Sequence, residues 1–277
     1  MTATAANEVP FALSGADPIL KVEDVSVIYK LPGGTVLEAV RHVNFIVEPG
    51  EMMGLVGESG CGKSTMAKAI CGLEPLSSGT ITFQGEQIKP LGLHNRSPQQ
   101  LRIQMVFQNP YASLNPRRTI GSQIRDGLWI SSKPGGWTVE QLLDAVEMPS
   151  SDAARYPSQF SGGQRQRIAI ARAIATGPDL LIGDEPISSL DASLQSKVAQ
   201  MMKDLAVEAG SSMLFISHDL AVVRDVVDTV AVMTAGQIVE RGVVGDVWGR
   251  PQHAYTKGLL ASIPHVDGLG NLPGGPL

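Results

Sequence analysis

The chain has 277 residues, 43% hydrophobic and 18% charged, which suits a folded domain with a sizeable core and excludes a disordered polypeptide. Its 22 basic and 27 acidic residues leave a net charge of −5, against the basic balance of a general nucleic-acid binder. The longest stretch free of Asp, Glu, Lys and Arg runs only from 103 to 116, short of the about 20 apolar residues that a membrane helix needs.

Residues 1–18 are small, polar and punctuated by Pro and Gly, and are expected to be a flexible lead. They lack the basic region and apolar run of a secretion signal. Alternating residues 19–29 and 36–47, joined by Pro32-Gly33-Gly34, predict an antiparallel hairpin. Residues 52–56 form a continuous apolar run, expected as a strand buried on both faces. A Gly-rich loop and a helix over 64–71 follow, then short strands at 80–83 and 104–107. Residues 111–157 change character, with Pro, Ser and Trp between helical patterns such as 138–148. Strands at 179–182, 212–217 and 229–233 then alternate with helices at 164–175 and 193–209. That order predicts a largely parallel sheet. A short helical piece and a Gly/Pro-rich tail end the chain after about Arg250. The two cysteines, Cys61 and Cys71, are too few for a disulfide framework or a four-cysteine metal site, and a reduced cytoplasmic compartment fits.

The strongest local signal is Gly57-Glu58-Ser59-Gly60-Cys61-Gly62-Lys63-Ser64, with Thr65 next to it. It fits G-x-x-x-x-G-K-[ST] between a buried strand and a helix, the context of a phosphate-binding loop. Glycines let backbone N–H groups turn toward phosphate oxygens, and the helix start adds partial positive charge. In that chemistry Lys63 reaches the β- and γ-phosphates and Ser64 offers its hydroxyl to Mg²⁺. The second signal is Leu180-Leu181-Ile182-Gly183-Asp184-Glu185. An apolar strand delivers two carboxylates at its C-terminal end, where ligands bind in open α/β sheets. Asp184 is suited to Mg²⁺, and Glu185 to orienting and polarising the attacking water.

These motifs resemble those of the ATP-binding cassette ATPases. The resemblance covers about residues 19 to 264, with motifs from 29 to 218. It implies an α/β P-loop NTPase cassette with a mostly parallel core sheet, an N-terminal antiparallel β subdomain and an inserted helical subdomain. The core is expected over 19–108 and 158–250, the helical subdomain over 109–157 and a C-terminal extension over 251–277. The family's signature loop is Ser161-Gly162-Gly163-Gln164, which completes the nucleotide site of a partner subunit. By the same resemblance Tyr29 stacks on adenine, and Gln108 serves Mg²⁺ and coupling. Ser188-Ser189-Leu190-Asp191 crosses the dimer, with Asp191 at the nucleotide, and His218 contacts the γ-phosphate and the attacking water. ATP and Mg²⁺ are the implied cofactors.

Longer stretches resemble the ATPase subunits of bacterial peptide importers and related nickel or glutathione systems. They are VFQNPYASLNPR (106–117), YPSQFSGGQRQRIAIARAIA (156–175), DEPISSLDASLQ (184–195) and, most specifically, PQHAYTKGLLASIP (251–264). Ala254 and Gly183 stand where this subfamily usually has Pro and Ala, and the helical segment before Arg155 is shorter. With no cysteine after Cys71, an iron–sulfur site in the tail is excluded. The implied partners are two transmembrane permease subunits, a second cassette ATPase (a copy or a relative) and an extracytoplasmic solute-binding protein, with no nucleic acid. The implied location is the cytoplasmic face of the inner membrane. Tyr111, Leu114 and Pro116 are the expected contacts in the groove for a transmembrane partner's helix. The competing reading, a soluble cassette acting on nucleic acid or ribosomes, meets an acidic balance and a chain with one cassette and no heptad insert.

Overall fold

The computed structural model describes residues 17–92, 96–131 and 136–262. Most of the predicted lead (1–16) and the tail from 263 lie outside the described residues. The first two strands, β1 (Leu20–Lys30) and β2 (Val36–Val47), form the expected antiparallel hairpin. Then come β3 (Met52–Val56), α1 (Lys63–Ile70), β4 (Ser78–Phe83), the short β5 (Glu86–Gln87), α2 (Pro98–Leu101) and β6 (Ile103–Val106). The helical part holds α3 (Pro110–Ser113), α4 (Ile120–Ile130) and α5 (Val139–Ala145). The chain continues through α6 (Gly162–Ala175), β7 (Leu180–Asp184), α7 (Ala192–Glu208), β8 (Ser212–Ile216), α8 (Leu220–Val226) and β9 (Thr229–Thr234). It ends with β10 (Gln237–Val243), α9 (Val244–Gly249) and α10 (Ala254–Ala261).

Two sheets result, ordered β2-β1-β4-β5 and β10-β9-β3-β8-β7-β6. The first is antiparallel throughout. In the second every pairing is parallel except β9 with β10. β3, β7 and β8 are buried along their whole length, which explains their unbroken apolar runs. Period-two alternation sends their side chains to two separate cores. Met52, Val56, Leu181, Met213 and Phe215 face one cluster with Ile120, Ile124, Leu142 and Ile174. Met53, Leu55, Leu180, Ile182, Leu214 and Ile216 face the other, with Val22, Phe45, Met66 and Ile70. The central sheet thus lies between a helical layer and the antiparallel sheet.

The sequence reading sets no bounds for β5, α2, α3, α4, α8, α9 or β10, and of these β10, α4 and α8 matter most to the packing. The turn into β10 uses Ala235 (φ 46°) and Gly236 (φ 83°), both left-handed, which matches the twist of a tight hairpin. Ala-Gly is a weaker cue than Asn-Gly, and β10 is a half-buried edge strand with little alternation. α4 and α8 pack into the helical-layer core, with Ile120 and Ile124 of α4 and Val223 of α8 fully buried. Gly183 is closely packed: a Cβ there would lie 2.9 Å from Met202 Cε, the movable end of a flexible side chain, and 3.0 Å from Pro186 Cγ.

Candidate functional site

The loop after β3 is shaped first by its own packing. A Cβ on Gly57 would sit 2.0 Å from the Met233 carbonyl oxygen, and one on Gly62 (φ +110°) 2.1 Å from that of Ala39. Both glycines are therefore required by β9 and β2, whatever binds above them. Glu58, Ser59 and Gly60 form the exposed crest, while Cys61, Gly62 and Lys63 are buried beneath it. Lys63 Nζ donates to the carbonyls of Gly57 and Glu58, both at 2.8 Å. Burial pushes the Cys61 thiol up despite the Lys63 ammonium beside it, so it is not a thiolate at neutral pH.

At the other carboxylate motif, Ser64 Oγ donates to Asp184 Oδ1 at 2.7 Å. Burial raises the Asp184 carboxyl above its ordinary value, the Ser64 bond opposes this, and the neighbouring Glu185 charge adds to the rise. The pair joins the start of α1 to the end of β7. Glu185, one residue on, is held in the left-handed region (φ 47°), with its N–H donating to Ile216 O at 3.0 Å. The ends of β6, β7 and β8 are level, since Val106 pairs with Gly183 and Gly183 with Phe215. Because β7 is the middle strand, Gln108 and His218 reach Glu185 from its two sides. Gln108 Nε2 lies 3.5 Å and His218 Nδ1 3.4 Å from the same Glu185 Oε2.

Tyr29 is half-buried against the antiparallel-sheet core. Burial raises its phenol, whose hydroxyl faces Thr65 and Glu74, so Tyr29 and Thr65 are brought together at the shoulder of α1. Ser161 caps α6 in a reciprocal box: its Oγ accepts from Gln164 N–H at 3.3 Å, and Gln164 Oε1 accepts from Ser161 N–H at 3.0 Å. Ser161, Gly162 and Gln164 are exposed, Gly163 half so, and no atom lies within 4 Å of a Cβ placed on Gly162. Among the described residues, no side-chain hydrogen bond of this loop reaches Gly57–Ser64. Asp191 is the exposed N-cap of α7, without a side-chain capping bond.

One residue was quoted from the sequence without a role. Gln166, fully buried on α6, donates to Phe107 O at 3.3 Å and so ties α6 to the residue before Gln108. A Gln with no solvent exposure inside a helix is the only signal, and it depends on the fold. Nearby, the Arg165 guanidinium lies 4.1 Å from the Tyr111 ring centroid and its Nε donates to Pro157 O at 2.7 Å. A cleft of about 1080 Å³ runs along Tyr111, Pro116, Arg118, Trp129 and Arg172. Tyr111 is 64% and Trp129 87% exposed. Leu114, expected as a contact in this groove, lines the cleft too, although it is only 5% exposed and also packs into the core.

Among the described residues no group of three or more His, Cys, Asp or Glu is placed to hold a metal, and no helix is long and apolar enough to cross a membrane. Residues 40–188 match the family described as ABC transporter. The chain is 44% identical over 260 residues to the oligopeptide transport ATP-binding protein OppF of Lactococcus lactis subsp. lactis, covering 90% of this chain and 81% of that one. It is 43% identical over 262 residues to OppF of Bacillus subtilis, covering 91% and 84%. Its fold is similar to a dimeric ATP-binding cassette in a post-hydrolysis state bound to ADP and Pi. The TM-score is 0.69 at 27% identity, covering 81% of this chain and 98% of the other.

Proposed function

Because the chain belongs to the ABC transporter family and is an ATPase cassette, we propose that it powers a bacterial importer of peptides or a related small solute. The observation that carries the catalytic part is the meeting of Gln108 and His218 on Glu185, one residue beyond the Ser64–Asp184 pair.

ATP lies with its phosphates over the loop Gly57–Ser64, whose amides and Lys63 ammonium answer the negative charge. Tyr29 stacks on the base. Mg²⁺ would be held by the donors present: Ser64 Oγ and Asp184 Oδ1 are hard oxygens 2.7 Å apart, and the Gln108 amide lies 3.5 Å from the adjoining Glu185. One or two carboxylates suffice for this ion where substrate phosphates and water are its other ligands, and it would supply neutralising charge to the phosphates. Glu185 orients the attacking water and accepts its proton, and His218 holds that water against the γ-phosphate. The water oxygen bonds to the γ-phosphorus as the bond from that phosphorus to the bridging oxygen breaks, giving ADP and phosphate. Catalysis is positioning and charge stabilisation, with little covalent work for the protein.

Ser161–Gln164 and Asp191 serve the nucleotide of a second cassette, a copy or a relative. The cleft at Tyr111, Pro116 and Trp129 seats a helix of one of two transmembrane subunits. On this reading the chain works at the cytoplasmic face of the inner membrane, with an extracytoplasmic solute-binding protein in the complete system. The test is a tagged pull-down from detergent-solubilised native membranes, followed by mass spectrometry and an assay of phosphate release. Two multi-spanning proteins and a second cassette are expected. Ribosomes or nucleic acid with no membrane protein would overturn the transport reading.

A further inference from the structure

The C-terminal extension stands out in the sequence and has no part in the chemistry above, yet the fold brings it to the nucleotide loop. Glu240 of β10 accepts the N–H groups of Gln252 at 2.7 Å and His253 at 2.9 Å. Burial opposes ionisation of Glu240, but the Thr256 hydroxyl and these two amides hold its carboxyl below the usual range, so the clamp is charged at neutral pH. His253 Nδ1 then accepts Tyr255 N–H at 3.2 Å and caps α10. The Tyr255 ring is half-buried against the helical-layer core, beside which Val239, Trp248 and Leu259 also pack. Its phenol oxygen accepts the Glu58 N–H at 3.1 Å, across 197 residues of sequence.

The Glu58 N–H and the Gly57 carbonyl belong to one peptide plane. In a trans peptide the two groups point in opposite directions. Here the carbonyl accepts from Lys63 Nζ at 2.8 Å while the amide donates to Tyr255. The plane is held between the buried ammonium on one side and the C-terminal helix on the other. Rotating it would break both bonds, and each bond polarises the amide in favour of the other. Glu58 O, one peptide on, is the second acceptor for Lys63.

We propose that Tyr255 is a positioning residue of the nucleotide site: by holding the Gly57–Glu58 peptide it sets how Lys63 is presented to the phosphates, and it ties nucleotide affinity to the docking of the C-terminal helix. The proposal rests on the ATP-binding role given to the loop above.

Tyr255→Phe deletes one oxygen and keeps the ring in its seat. In the full-length chain this variant binds Mg²⁺-ATP about two- to tenfold more weakly, the range of one neutral hydrogen bond. In the assembled transporter the rise in KM for ATP exceeds any fall in kcat. Hydrogen exchange in the nucleotide-free protein shows the Glu58 amide exchanging faster than in the unaltered chain. A side chain that only docked a helix would leave the Glu58 amide and the KM-to-kcat balance unmoved. If either the affinity or the Glu58 exchange equals that of the unaltered chain, the proposal is overturned. If the unaltered chain binds no ATP, the function assigned to the loop fails and the proposal falls with it. The exchange measurement needs no nucleotide, so the two failures are distinguishable.

Discussion

At the start of α1 the chain closes on itself. Gly57 and Gly62 are pressed against the carbonyls of Met233 and Ala39, Lys63 is 4% exposed and bonded to two carbonyls, and Ser64 is bonded to Asp184. At the start of α6 it does the opposite. Ser161 and Gln164 cap only each other, and a Cβ on Gly162 would meet nothing. Both are glycine-rich helix starts with free N–H groups, so both are suited to an anion. The difference teaches that a glycine motif has two physical causes. In the first the fold itself needs the glycines. In the second no described residue of this chain comes within 4 Å of a Cβ on Gly162, so the fold does not call for that glycine, and on the proposed function the nucleotide of a second cassette would.

The largest expected effect tests the chemistry at the closed end. Glu185→Gln removes the proton acceptor and is expected to cut phosphate release in the assembled transporter about 10²- to 10⁴-fold while ATP still binds. Near-normal turnover would remove Glu185 from the mechanism. Lys63→Ala comes next. Loss of a charged donor costs about 1.5–3 kcal/mol, or roughly 10- to 150-fold in ATP affinity, read by titration calorimetry. Unchanged affinity would refute its role.

The two glycines sharpen the comparison directly. Gly62→Ala forces a Cβ into the Ala39 carbonyl at positive φ, and is expected to destabilise the chain by about 1–3 kcal/mol in a denaturant titration. Gly162→Ala is expected to leave stability unchanged or raise it by under about 1 kcal/mol, since Ala favours a helix. Its cost should fall on turnover in the assembled transporter, about 5- to 150-fold if the added methyl overpacks a ligand there. Equal behaviour of the two variants would erase the distinction.

The smallest effect concerns pH. The fold raises the Asp184 carboxyl, so the folded chain holds that proton more tightly than the unfolded one. Stability contributed by this group is therefore lost as pH rises from the ordinary value of 3.8 through the raised one. A cation bound by the ionised form offsets that loss. The gain in melting temperature from Mg²⁺-ATP should fade on acidification at a pH above 3.8. The part of the fade caused by Asp184 should vanish in Asp184→Asn. A fade of the same size in both would assign it to the nucleotide.

Much of the site is legible in the sequence because its signals are local. Residues 57–64 carry their loop in their own spacing, and 180–185 carry an apolar strand ending in two carboxylates. The hairpin of β1 and β2 and the buried β3 follow from alternation and unbroken apolar runs. α4 and β10 were not legible. Their patterns are weak along the chain, and they are fixed by what packs on them: Ile120 and Ile124 in the helical-layer core, and β9 beside β10.

The sequence by itself determined which residue types were available, and in which local setting: a phosphate loop before a helix, a carboxylate pair after a strand, a Ser-Gly-Gly-Gln helix start. These depend on neighbours a few residues apart, where chain stiffness and hydrogen-bond spacing act directly. Only the tertiary structure decided what meets. The level ends of β6, β7 and β8 put Gln108 and His218 on one oxygen of Glu185, Gln166 found Phe107, and Tyr255 found Glu58. Such contacts are set by strand order and by which apolar faces are buried together, and no short window of sequence contains either.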